Sequence, residues 1–240
     1  MPPRQKVRKA QPTRERMNNY SVKEFDEFVK ANSEEEYKSF HSRLTRSNYP
    51  INGIRVPKLR KYAKELAKSA DVRDFLNQKS KCYEQCMLKG LLITHLKLDD
   101  TEFFELLERY IDEIDDWALT DVTCSGIHRK DEAYLRKIKE YAKKDDIWYA
   151  RWGIVATMEN FFDKDDVIYE IVDNLIAKDY YVDMALAWLI QVLAVKNREV
   201  AVTLMKSDRV NGAVKKYAVR KIKDSFRISK EDKVFFAKLI

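Results

Sequence analysis

A chain of 240 residues, 45% of them hydrophobic, has enough apolar material to bury the core of one large domain or two small ones, which excludes wholesale disorder. With 35% charged residues, a mean hydropathy of −0.55 and no apolar run near the ~20 residues of a spanning helix, no membrane span is expected. The net charge of +7 is uneven: Met1–Arg16 carries +5 and Lys206–Arg227 +6, around a Met17–Met205 body of −5, a pattern that points to a polyanionic partner held at chosen places.

In chain order, Met1 to Asn19 is rich in Pro, Arg, Lys and Gln and reads as a basic, flexible tail. No apolar block follows its basic start, so export is not expected and a cytoplasmic protein is. Three cysteines, an odd number, agree with a reducing compartment. Residues 20–240 read as a single domain. It opens with two capping boxes, Ser21 to Glu24 and Ser33 to Glu36, in which side chains satisfy orphan backbone N–H groups. Pro57 suits the first turn of a helix through Ala67.

All five prolines lie at or before Pro57, and only Gly90, Gly126, Gly153 and Gly212 follow as breakers. So few turn residues exclude a sheet of short hairpins. Amphipathic segments follow instead, over Lys81–Leu98, Thr101–Ile114, Asp116–Ile127, Asp131–Lys143, Asp146–Phe161, Asp165–Ala177, Tyr181–Val195, Arg198–Met205, Ala213–Ser225 and Lys230–Ile240. Acidic residues stand at several starts, where the helix dipole favours them. Trp117, Trp152 and Trp188 recur at spacings of 35 and 36 residues, each in an apolar helix separated from the next by a more polar one. The expected fold is all-α, a HEAT-like helical-repeat solenoid whose inner helices line a concave face.

Several chemistries lack support. Cys82 and Cys86 are one turn apart, but only His95 joins them as a metal-type neighbour, so core packing suits them better than zinc. Cys124 and His128 have no third, orienting group. A glycine-rich phosphate loop and a GxSxG elbow are both missing. More informative are Trp117 with Asp121, four residues apart, and Trp148 with Arg151, three apart, each pair on one helix face. Trp188 follows small residues that permit close approach. From spacing alone such residues suit buried tryptophans with an Asp–Arg ladder tying repeats together better than a catalytic cluster.

From "YPINGIRVPKLRKYAKEL" (Tyr49–Leu66) to "KKYAVRKIKDSF" (Lys215–Phe226) the chain resembles the AlkD-type DNA alkylation repair proteins, HEAT-like-repeat DNA glycosylases. The resemblance rests on the "WALTD" of Trp117–Asp121, the "IWYAR" ending at Arg151 and the aromatic pair Tyr180–Tyr181 seven residues before Trp188, with a similar turn at Gly53-Ile54-Arg55. It implies a catalytic carboxylate at Asp121, flanking tryptophans at Trp117 and Trp188, and a phosphate-binding arginine at Arg151. It further implies a monofunctional, cofactor-free and metal-free glycosylase, acting as a monomer on double-stranded DNA that carries N3- or N7-alkylated purines.

Such a purine is already cationic and leaves without a general acid, so the enzyme's task is to stabilise the sugar cation and position water. One preorganised contact of that kind is worth about 3–4 kcal/mol elsewhere. Tryptophan faces attract cations by about 0.5–2 kcal/mol. Arg55, Trp148, Lys215, Lys216, Arg220 and Lys223 are the expected duplex contacts. Met184 and Gln191 stand where active members commonly carry a lysine and an arginine. The second expectation is therefore a non-catalytic repeat protein that binds DNA, or another protein, through the same concavity.

Overall fold

Side-chain oxygens placed just ahead of apolar segments set most of the helix starts. The computed structural model describes residues 18–240, so the basic stretch expected as a tail lies outside the described residues up to residue 17. The described chain is all-α apart from one two-residue strand pairing. It forms two compact units, one reaching Ser42 and resuming over Tyr49–Lys97, the other comprising Arg43–Asn48 and Leu98–Ile240. Among the described residues no helix is long and apolar enough to cross a membrane.

In the first unit, β1 (Asn18–Asn19) pairs in parallel with β2 (Ala70–Asp71), so the last two residues assigned to the tail are tied into the unit. Its helices are α1 (Val22–Asn32), α2 (Glu35–His41), α3 (Val56–Ser69), α4 (Arg73–Asn77) and α5 (Tyr83–Ile93). Ser21 forms the expected box with Glu24 ahead of α1. The second expected box does not form. Ser33 ends α1, its hydroxyl donating back to the Val29 carbonyl at 2.8 Å, and α2 begins after Glu34, which makes no side-chain cap. That carboxylate instead accepts from Arg55 Nε at 2.8 Å and Lys58 Nζ at 2.9 Å.

The turn at Gly53 is built around a buried carboxylate. Gly53 takes φ +85°, open to glycine at little cost. Glu84, 1% exposed, accepts from the backbone N–H groups of Asn52, Gly53 and Ile54 at 2.8–3.3 Å and from the Asn52 amide at 3.1 Å.

The second unit carries α6 (Asp100–Ile111), α7 (Trp117–Cys124), α8 (Glu132–Ala142), α9 (Ile147–Asn160), α10 (Asp165–Asp173), α11 (Tyr180–Lys196), α12 (Arg198–Lys206), α13 (Gly212–Asp224) and α14 (Lys230–Ala237). Four acidic starts read from the sequence are N-caps: Asp116, Asp131, Asp146 and Asp179 each accept a backbone N–H of the helix they precede, as does Asp99 ahead of α6, whereas Asp165 lies inside the first turn of α10 and caps nothing. The alternation of helices has a packing meaning. Helix α9 packs on α7 and α11, and α11 on α13, forming one layer. Helix α8 packs on α9, α10 on α8 and α9, α12 on α11 and α14 on α13, forming the other. Helices α9 and α11 are apolar nearly all round, as sandwiched helices must be, whereas α8, α10 and α12 bury one face.

Trp152 is fully buried, its Nε1 donating to the Tyr134 hydroxyl at 3.3 Å. The next residue, Gly153, lets α9 approach α8: a Cβ there would lie 3.1 Å from the Ile138 carbonyl oxygen and 3.2 Å from Ala142 Cβ.

Candidate functional site

The N-termini of α7 and α11 and the middle of α9 bring an acid, a base and four aromatic rings together. A cavity of about 540 Å³ is lined by Trp117, Asp121, Arg151, Tyr180, Tyr181, Met184, Trp188 and Lys221, with Arg43, Leu44 and Arg46 from the short N-terminal segment of the same unit. Caps fix the geometry at both helix starts. Asp116 accepts from Ala118 N, setting the phase that places Trp117 and Asp121 one turn apart, and Asp179 accepts from Tyr181 N. Trp117 is 39% exposed, a large aromatic that the fold leaves in the open.

Asp121 and Arg151 form a forked ion pair. Arg151 Nε donates to one carboxylate oxygen at 3.0 Å and Nη2 to the other at 2.7 Å, while Nη1 donates to the Tyr181 carbonyl at 2.6 Å. The ladder reading and the cluster reading of these residues thus share one geometry. The guanidinium that the family resemblance assigns to a backbone phosphate is engaged on Asp121 and on α11. Burial pushes the Asp121 carboxyl above the usual carboxylate range; Arg151 and Lys221 pull it down, and Asp116 adds like charge that raises it.

Lys221, on α13, is a cavity residue that counting basic residues did not single out. It is half-buried, it lines this cavity, and no hydrogen bond or ion pair engages its ammonium among the described residues. Burial pushes its amine below the ordinary lysine range; the Arg151 charge acts the same way, against Asp121 and Asp224. An adjoining cavity of about 650 Å³ shares Trp188 and Lys221 and is completed by Glu159, Gln191, Lys196, Asp224 and Phe226 among others. Met184 therefore faces the first cavity and Gln191 the second, with the Gln191 amide 3.5 Å from the Ser225 hydroxyl.

The remaining expected contacts divide by position. Trp148 is half-buried against Tyr181, ring centroids 5.2 Å apart, at the edge of the cluster. On α13, Lys216, Arg220 and Lys223 are exposed at helical spacing and Lys215 is half-buried. Arg55 belongs to the first unit, where it is paired with Glu34 and lies 4.8 Å from the Tyr37 ring centroid. Cys124 is fully buried and its thiol is pushed well up by burial, then by Asp121, so it is no thiolate nucleophile; His128 is exposed.

Arg43, Leu44 and Arg46 reach the cavity because Asp115 holds their segment. Its carboxylate accepts from the Ser47 hydroxyl and from Asn48 N, both at 2.6 Å. No periodicity announces that contact.

No curated protein matches the chain. The family model described as DNA alkylation repair enzyme matches residues 22–222, a span that contains Trp117, Asp121, Arg151, Trp188 and Lys221. The protein belongs to the DNA alkylation repair enzyme family.

Proposed function

We propose that this protein is a DNA glycosylase that hydrolyses the N-glycosidic bond of cationic N3- or N7-alkylated purines in duplex DNA, with Asp121 as the group that meets the sugar. The observation that carries the reading is the shared cavity of Trp117, Asp121 and Trp188. A cationic purine is already a good leaving group, and the barrier left is the charge that develops on the sugar. A carboxylate held by a fork of two hydrogen bonds cannot swing away as that charge appears, which is the condition for electrostatic preorganisation. It can also orient the attacking water. In this role Arg151 is a positioning residue, acting through Asp121. The indole faces of Trp117 and Trp188 supply cation attraction, and the exposed stripe of Lys216, Arg220 and Lys223 supplies phosphate contacts on a concave duplex-binding face.

Incubating the protein with duplex containing N7-methylguanine and measuring released base tests the proposal. Wild type is expected to release base, and Asp121→Asn to do so about 10²–10³-fold more slowly.

A second reading, a DNA-binding member without catalysis, draws on two observations: both Asp121 oxygens already accept from Arg151, and the uncharged Met184 lines the same cavity. Under it, folded wild type releases no base and binds alkylated and plain duplex alike.

A further inference from the structure

The base-release chemistry gives Lys221 no part, yet the lysine lines the cavity that holds Asp121 and Trp188. Its burial sets it apart from Lys216, Arg220 and Lys223 on the same helix. It sits at the edge of the buried face, beside Ala218 and Ile222, whereas the other three are exposed. Its ammonium has no hydrogen-bonding or ion-pairing partner among the described residues, whereas Arg151, in the same cavity, makes three such contacts. An amine half-buried near a guanidinium is easier to deprotonate than a solvated one, and burial and Arg151 both act in that direction here. Neutral lysine amines in desolvated pockets attack carbonyl carbon to form Schiff bases.

We infer that Lys221 is a nucleophile toward abasic deoxyribose, giving the protein, in departure from the monofunctional glycosylase that the family resemblance implies, a strand-cleaving lyase activity that follows base removal. The substrate class is a duplex abasic site, whose sugar opens to an aldehyde at C1′. The neutral amine adds to that carbon; a C1′–N bond forms, one proton is taken up from solvent, and the aldehyde oxygen departs as water, leaving a protonated imine. A C2′ proton then leaves to the Asp121 carboxylate across the cavity, the electron pair becomes the C2′–C3′ double bond, and the C3′–O bond breaks. The departing group is the phosphate that ends the downstream strand. Water hydrolyses the imine, returns the amine and frees the unsaturated aldehyde on the upstream strand. The sequence of steps needs no oxidant or reductant.

The inference builds on the proposed site, but its test does not depend on base release. The full chain is mixed with duplex in which a deoxyuridine has already been converted to an abasic site, sodium borohydride is added, and covalent protein–DNA adduct is resolved on a denaturing gel and mapped by mass spectrometry. The expected result is an adduct on Lys221, lost in Lys221→Arg, which keeps the positive charge and the phosphate affinity, and lost in Lys221→Gln. Without borohydride, wild type nicks the abasic strand and the Lys221→Arg variant does not. Absence of an adduct with folded wild type that binds the duplex overturns the inference, as does an adduct mapped to another amine or undiminished in Lys221→Arg. If glycosylase activity fails while trapping at Lys221 succeeds, only the base-release reading falls; the converse leaves the glycosylase standing and removes the lyase.

Discussion

Arg151 grips both oxygens of Asp121 at 3.0 and 2.7 Å, with the two side chains only 5% and 11% exposed. At that burial each charge depends on the other. Arg151→Met leaves a desolvated carboxylate unpaired and is expected to cost about 3–5 kcal/mol of unfolding free energy. The double variant Asp121→Asn/Arg151→Met should recover much of that loss, because nothing charged is then left alone. Denaturant melts of the two singles and the double give the coupling energy; strictly additive losses would show that the pair is not a unit.

The raised Asp121 carboxyl sets a pH dependence. Stabilising a sugar cation needs the ionised form, so base release should fall as pH drops through a midpoint above the ordinary value of about 3.9. The stability effect has the opposite sign. A carboxyl raised in the folded state favours folding fully below its unfolded value, and that contribution is lost as pH rises through the folded one. The melting-temperature difference between wild type and Asp121→Asn should therefore move against wild type as pH rises across that window. A rate profile with its acid limb at or below the ordinary carboxylate value would contradict the assignment.

Lys216, Arg220 and Lys223 form an exposed stripe on α13. If they contact phosphates, log Kd against log salt for plain duplex is steep, and each alanine substitution lowers the slope by about 0.9. Unchanged slopes in all three variants would remove α13 from the duplex interface. Lys221→Arg keeps its charge and should leave the slope unaltered.

Two positions test the scaffold. Glu84→Ala takes the acceptor away from three backbone N–H groups at Asn52, Gly53 and Ile54 and should cost about 3 kcal/mol or more. Gly153→Ala puts a methyl 3.1 Å from the Ile138 carbonyl and should cost about 1–3 kcal/mol as α8 is forced outward. Thermal or chemical denaturation reads both.

Much of the helix plan is legible because the caps are local. Asp116, Asp131, Asp146 and Asp179 mark helix starts within one residue of the expected ones, since an acceptor and its helix are neighbours in the chain. Ser33 misled because it has the residues of a capping box but lies beyond the end of α1, where its hydroxyl bonds backward. The tryptophan spacing gives the repeat length but not the face. Trp117 and Trp188 line the cavity while Trp152 is core, and Arg151 takes the cavity-facing place one residue earlier, about 100° around the helix. Lys221 was hidden in a basic run, although its position three after Ala218 and one before Ile222, both buried, sets it at the edge of the apolar stripe. Arg43 and Arg46 were beyond reach, because a contact across 67 residues leaves no local pattern.

The Asp115 tether makes the cavity discontinuous in the gene. A fragment beginning at Leu98 would contain Trp117, Asp121, Arg151, Trp188 and Lys221, yet it would lack the segment that carries Arg43, Leu44 and Arg46, and Asp115 would be left facing water. Trimming this protein to its C-terminal helices would thus remove one rim of the site, and a chimaera that exchanges the N-terminal half would exchange part of the cavity lining with it.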